Sequence, residues 1–206
     1  SNSSKQGTET TRVAMPLPSR RSRALSAIST SEPVAKIVTL ASASPDSVLL
    51  WTSTPAMGAA FVRAARQVGL NAPIVGSGAL VQRSFVEAAG PAAEGVTILA
   101  FANWDDPSPR LKALDALLRG QGKTPSGFGE LLTGTGMVAL AAAIKAVKGP
   151  VTGQALRDAL EGLCGLDNPY VDGQFCYTAD SHEGFGADAL RPVVIRGGKF
   201  MTITGQ

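Results

Sequence analysis

The sequence predicts an α/β protein built on a parallel sheet, and three observations carry that prediction. Between residues 46 and 101, strand-like and helix-like segments alternate, the order that βαβ units produce. The strand-like runs DSVLLW, APIVG and GVTILAF are apolar throughout rather than alternating, which predicts strands covered on both faces. Their carboxyl ends run into small, hydroxyl-bearing and aromatic residues, where open α/β sheets collect their ligands.

Taken in order, residues 1–32 stand apart from the rest. They are rich in Ser, Thr, Arg and Pro, lack any apolar period, and are expected to form a poorly ordered, non-native tail. The same Arg- and Ser-rich, acid-poor composition is also that of a transit peptide. From residue 33 the pattern becomes regular. EPVAKIVTLAS predicts a short helix before the first strand, and STPAMGAAFVRAARQVGL predicts a longer one after it. There Thr54 can cap, Pro55 fits the first helical position, and Gly69 ends the helix. Met57, Phe61, Ala65 and Val68 mark its expected apolar stripe. VQRSFVEAAG is the next helix, between the second and third strands.

After Trp104 the character changes. DDPSPR is a turn-rich joint, and RLKALDALLRG, GFGELLTGTGMVALAAAIKAVKG and TGQALRDALEGL predict three helices in series, the last beginning at a capping Thr152. YVDGQFCYT, RPVVIRG and KFMTITG predict strands, the last two joined by a turn at Gly197-Gly198.

With 206 residues, 44% of them apolar, the chain can hold one large domain or two small ones. The net charge of +3 owes much to Arg12, Arg20, Arg21 and Arg23; without them the remainder is close to neutral, so no nucleic-acid partner is expected. No run of 18 apolar residues suggests a membrane span. The start Ser-Asn-Ser-Ser-Lys-Gln has no apolar core of a secretory signal, which suits a cytosolic protein or an exported one without its signal. Cys164 and Cys176 are either two separate thiols or, in an oxidising compartment, a bridge.

The chemical motifs fail on spacing. After Gly76 and Gly78 a dinucleotide fingerprint needs glycine at 81, which is Val81. A phosphate loop ending in Gly122-Lys123-Thr124 needs glycine where Leu117 stands. A nucleophile elbow at Ser77 needs glycines at Val75 and Ala79. His182 is the only histidine and is read as a turn residue. One His and two Cys at no ligand spacing point to no metal, and no cofactor and no catalytic residue are expected. A pocket is indicated instead. Trp51-Thr52-Ser53-Thr54, Ser77-Gly78-Ala79 and Phe101-Ala102-Asn103-Trp104 stand at the three strand ends. Their hydroxyls, glycine amides and aromatic faces suit a small ligand with a carboxylate and an apolar body.

The strand followed by TPA, the helix ending ARQVGL, the PIVGSG strand and AGPAAEGV form an ordered series. Together with VALAAAIKAV, ALRDALEGL, DSHEGFG and GGKF, the series resembles the second lobe of type I periplasmic substrate-binding proteins. Branched-chain amino-acid-binding proteins of ABC importers are the pattern. The resemblance covers roughly residues 34–203 and implies a parallel-sheet lobe with the first lobe incomplete. Residues 33–104 would be lobe two, 105–165 a helical remnant of lobe one, and 166–206 strands returning to lobe two and the hinge.

The resemblance implies a non-enzymatic, periplasmic protein that closes on a ligand and delivers it to an ABC permease at the membrane. Trp51, Thr52, Ser53, Ser77, Gly78, Ala79 and Phe101 are the expected ligand contacts. In the family an acid just after the second strand holds the ligand ammonium; that position is Gly78 here, and the aromatic hydroxyl position one strand earlier is Ser53. A ligand without an α-amino group, an aromatic or branched carboxylate, is therefore expected. Most of lobe one is not matched, so the apolar stripes Leu114, Leu118, Met137, Leu140, Ile144, Leu156 and Leu160 would lack the sheet they cover, and a second chain is an expected partner. A fragment of a longer protein, or a chain with an altered start, would leave the same stripes bare. A nucleotide-binding α/β enzyme and a sensory module of the same fold are the competing functions.

Overall fold

The computed structural model describes residues 33–204 apart from Asp106, Pro169 and Asp172; the expectations for residues 1–32 lie outside the described residues. Helix α1 (Pro33–Ser42) leads to β1 (Val48–Leu50), α2 (Pro55–Gln67), β2 (Ile74–Gly76), α3 (Arg83–Ala89) and β3 (Thr97–Ala100). Three helices follow, α4 (Pro109–Gly120), α5 (Phe128–Ala146) and α6 (Gly153–Glu161). A hairpin of β4 (Cys164–Leu166) and β5 (Phe175–Cys176) then precedes β6 (Arg191–Arg196) and β7 (Lys199–Thr202).

Strands β1, β2 and β3 pair in parallel, and β6 and β7 return as antiparallel neighbours, giving the order β1-β2-β3-β6-β7. The run YVDGQFCYT, expected to be one strand, is reduced to β5, which pairs with β4 in a separate two-stranded sheet. Cys164 and Cys176 lie opposite each other in that register and form a disulfide. A bridge closing so short a loop contributes about 3 kcal/mol in the chain-entropy account.

The turn between β6 and β7 shows why glycine is needed there. Gly197 and Gly198 have φ of 57° and 71°, left-handed values that a β-carbon disfavours. The Glu94 carboxylate accepts both of their amides, at 3.0 and 2.9 Å, and so fastens the turn to the segment before β3.

Two local expectations need correction. Thr54 stands at the start of α2 but its side chain makes no capping hydrogen bond; its amide instead donates to Thr52 Oγ1 at 3.2 Å. The buried stripe of α2 is Gly58, Ala59, Val62 and Ala65, not the one through Met57 and Phe61. Met57 is 49% exposed. The rotation is set by packing, because a β-carbon at Gly58 would fall 2.5 Å from a Leu80 methyl. Small residues let α2 approach the sheet more closely than a bulky stripe would. Thr152, by contrast, does cap α6, accepting from the Ala155 amide at 3.1 Å.

The larger correction concerns the sheet, since its strands are not covered on both faces. Val48, Ile74, Ile98, Val193, Ile195 and Phe200 join Ile37 of α1, Val62 of α2 and Phe85 of α3 in one core. On the opposite face the register aligns Leu49, Val75, Thr97, Val194 and Met201 in one row across all five strands. Leu49 is 70% exposed, Leu99 49% and Met201 39%. Val75 and Thr97 are half-buried and Val194 is buried, so this face is largely apolar but only partly covered.

This asymmetry gives a direct test. Ile98→Ala, at a fully buried position, is expected to cost about 2–5 kcal/mol. Leu99→Ala, one residue on but facing outward, should cost less than about 1 kcal/mol. Urea denaturation of the two variants measures both; equal losses would contradict the one-faced core.

Candidate functional site at the strand ends

The parallel pairing brings the carboxyl ends of β1, β2 and β3 to one edge of the sheet, and the expected contact residues come with them. Ser77 ties two of the strand-end loops together. Its hydroxyl donates to the Thr52 carbonyl at 2.6 Å and its amide to the Leu50 carbonyl at 3.1 Å. Ser77 is consequently buried, Thr52 half-buried, and Trp51 and Ser53 exposed, Trp51 at 82%. Gly78 and Ala79 open a short 3-10 turn, Gly78–Leu80, and are half-buried. A β-carbon at Gly78 would lie 3.2 Å from the Leu99 carbonyl, so this glycine lets the turn sit against β3.

Phe101 is half-buried and faces the Phe185 ring at 5.8 Å between centroids. Phe185 stands edge-on to Phe175, and Phe175 meets Tyr177 at 4.5 Å. Phe101 is thus the first member of an aromatic chain, the other members coming from the segment that carries β5.

The joint after Trp104 holds residues that motif spacing does not reveal. Asp105 pairs with Arg83 at 2.8 Å and accepts from the Phe200 amide at 3.0 Å, while its own amide donates to Asn103 Oδ1. Trp104 Nε1 donates to the Gly127 carbonyl at 2.8 Å. Arg83 and Phe128 amides donate to the Ser126 and Val81 carbonyls, stitching the start of α5 to the start of α3. Only glycine fits at 127, where a β-carbon would come 2.9 Å from the Val81 carbonyl. In the sequence these residues are acids followed by Pro-Ser-Pro, which reads as a turn and not as an anchor.

Glu130 closes this joint. Partial desolvation pushes its carboxyl upward, but hydrogen bonds from its own backbone amide, the Ser126 hydroxyl and the Ser126 and Gly127 amides together hold it below the usual glutamate range.

Away from the strand ends, an open groove of about 320 Å³ lies between α5, α6 and the β5 segment. Leu140, Leu156, Leu160 and Tyr177 line it, with Arg157, Glu161 and His182 at its rim. Glu161 accepts from Arg157 at 2.8 Å and contacts His182 Nε2 at 3.1 Å, and these partners hold its carboxyl below the usual range. Met137, Leu140 and Ile144 of α5 are 60%, 37% and 44% exposed. By length and composition α5 could cross a membrane, which the run of apolar residues in the sequence did not suggest. Leu131, Thr135, Ala139 and Ala143 form its buried side. Among the described residues no group of three or more potential ligands is placed to hold a metal.

A family model described as periplasmic binding protein matches residues 24–196. The chain belongs to the periplasmic binding protein family. No curated protein matches the sequence significantly. Among solved structures, an extracellular ligand-binding receptor from Rhodopseudomonas palustris HaA2 is similar at 20% identity and a TM-score of 0.70, over 82% of this chain and 50% of the receptor. A leucine-binding protein from Thermotoga maritima is similar at 17% identity and a TM-score of 0.67, over 82% of this chain and 47% of that protein. A solute-binding protein of an R. palustris ABC transporter, solved with benzoate, is similar at 22% identity and a TM-score of 0.63, over 84% and 45%. The chain therefore spans about half the length of these structures. These structures are described as a ligand-binding receptor, a leucine-binding protein and a solute-binding protein.

Two measurements test the site as built. Ser77→Ala removes the donor to a buried carbonyl and should cost about 1 kcal/mol in chemical denaturation, whereas Ser53→Ala should stay within about 0.5 kcal/mol. An equal effect would mean that Ser77 does not join the loops. Because the folded-state Glu130 carboxyl lies below its unfolded value, its contribution to stability is present above the ordinary glutamate range and fades as pH falls through the folded value. Glu130→Gln should lower stability at neutral pH and lose that difference in acid; a constant difference in a pH series of denaturation curves would contradict it.

Proposed function

We propose that this chain is the ligand-binding part of an extracytoplasmic solute receptor for ABC import, and that its ligand is a small aromatic or branched carboxylate without an α-amino group. Residues 33–104 act as the second lobe, 105–165 as a helical portion of the first, and the chain beyond returns to the hinge. Trp51, Thr52, Ser53, Ser77, Gly78, Ala79 and Phe101 form one wall of the site. Closure of a second wall over it retains the ligand, with no bond made or broken, and a membrane permease receives it.

The observation that carries the ligand class is the absence of any charged residue in the three strand-end loops, 51–54, 77–79 and 101–104. The next acid along the chain, Asp105, is occupied by Arg83 and the Phe200 amide. An ammonium brought to these loops would lose its hydration without a carboxylate to replace it. The backbone of the turn that begins at Gly78 and the Thr52 and Ser53 hydroxyls suit a carboxylate, and Trp51 and Phe101 supply aromatic surface. A relative of the same fold solved with benzoate is consistent with this preference, and the leucine-binding relative represents the alternative it excludes.

Calorimetry with benzoate, a branched 2-oxo acid and leucine tests the reading. A charge-assisted hydrogen bond is worth about 1.5–3 kcal/mol, so leucine should bind at least about tenfold more weakly than the amine-free acids. Gly78→Asp, which places a carboxylate at the turn, should narrow or reverse that ratio. Tight leucine binding by the unaltered chain, with no response to either acid, would overturn the proposal.

A further inference from the structure

Aromatic residues make up only 5% of the sequence, yet four of them join in one chain that ends at the proposed ligand wall. Phe101 meets Phe185 at 5.8 Å between centroids with the planes inclined at 47°. Phe185 stands edge-on to Phe175 at 5.6 Å, and Phe175 meets Tyr177 at 4.5 Å. Phe175 is buried, whereas Phe101 and Phe185 are half-buried and keep part of their surface open. Phe175 is therefore the interior support, and Phe185 carries that support to Phe101 at the end of β3.

The Phe185 ring is held in place by its own loop. A β-carbon at Gly184 would fall 2.5 Å from the Phe175 ring, and one at Gly173 would come 3.1 Å from the Phe185 ring. Bare backbone at both positions lets the rings pack directly on the chain. The Cys176 amide donates to the Gly184 carbonyl at 2.9 Å, and Cys176 is itself bridged to Cys164 just after α6. On the other side of the loop, the Thr178 amide donates to the Ser181 carbonyl at 2.9 Å. His182 Nε2 next to it contacts Glu161 at 3.1 Å. Both ends of the loop that presents Phe185 are thus fastened.

A held ring recognises a ligand differently from a free one. Trp51 is 82% exposed, so ordering it against a ligand costs side-chain freedom that the Phe101–Phe185 pair has already given up. A planar aromatic group gains edge or offset stacking on such a pair beyond the area it buries, whereas a branched alkyl group gains only the area. We propose that Phe185, supplied by the loop after β5, is a second aromatic wall of the ligand site and selects a planar aromatic carboxylate over a branched one. This inference rests on the site and the amine-free ligand class proposed above, and it narrows that class.

Calorimetry on the 206-residue chain with benzoate, cyclohexanecarboxylate and a branched 2-oxo acid tests it. The unaltered protein should favour benzoate over both of the others by about two- to tenfold. Phe185→Leu should bring those ratios close to one by weakening benzoate, and the conservative Phe185→Tyr should restore them. The ratio is the readout because a folding defect lowers all three affinities together. A ratio untouched by Phe185→Leu, an equal fall for all three acids, or a ratio lost in Phe185→Tyr as well would each overturn the proposal. A second measurement does not depend on the leucine variant folding. In the unaltered protein, isotope-edited NMR should show transfer between the benzoate ring protons and the Phe185 ring, and its absence would overturn the proposal. Binding of the amine-free acids with none of these ring effects would leave the proposed function standing and remove the role of Phe185. Binding of leucine alone would remove both.

Discussion

Burying one face of the five-stranded sheet under α1, α2 and α3 fixes the direction in which β1, β2 and β3 follow each other, and with it the edge where their carboxyl ends gather. The Ser77 hydroxyl, donating to Thr52 at 2.6 Å, is a consequence of that gathering. So is the position of Gly78 against the end of β3. The turn Gly78–Leu80 can sit there because Gly58 and Gly76 leave room for the Leu80 side chain beneath it.

The same one-sided burial produces what is unusual in the molecule. A sheet whose strands are apolar on both faces leaves one of them partly exposed, at Leu49, Leu99 and Met201, and among the described residues its first strand has a free edge. Exposed apolar residues on α5 repeat the theme in the helical segment. The chain spans about half the length of the structures it resembles. The strand-end loops proposed as the binding wall all lie within the described residues.

Much of this order was legible in the sequence because the signals were local. Pro55 and Gly69 bracket α2, Thr152 starts α6, and the glycine pair turns β6 into β7. The failures have a common physical cause, which is that burial is decided by neighbours distant in sequence. The stripe of α2 turned by one residue because Leu80 needed the space above Gly58. An apolar run in β3 could not say that Leu99 would be left 49% exposed. At the site, residue type disclosed the missing charge, but nothing local revealed that Ser77 would face inward to Thr52, or that Asp105 would hold Arg83 and β7 together.

The proposed ligand sits at the strand ends, on a wall without charge, and everything said of its chemistry depends on that placement. Native-state hydrogen exchange of the 206-residue chain, with and without saturating benzoate, reads the placement amide by amide. Slower exchange confined to the amides of residues 51–54, 77–79 and 101–104 is the predicted result. Protection that appears instead along α5 and α6, around Leu140, Leu156 and Leu160, would place the ligand in the helical groove and contradict it.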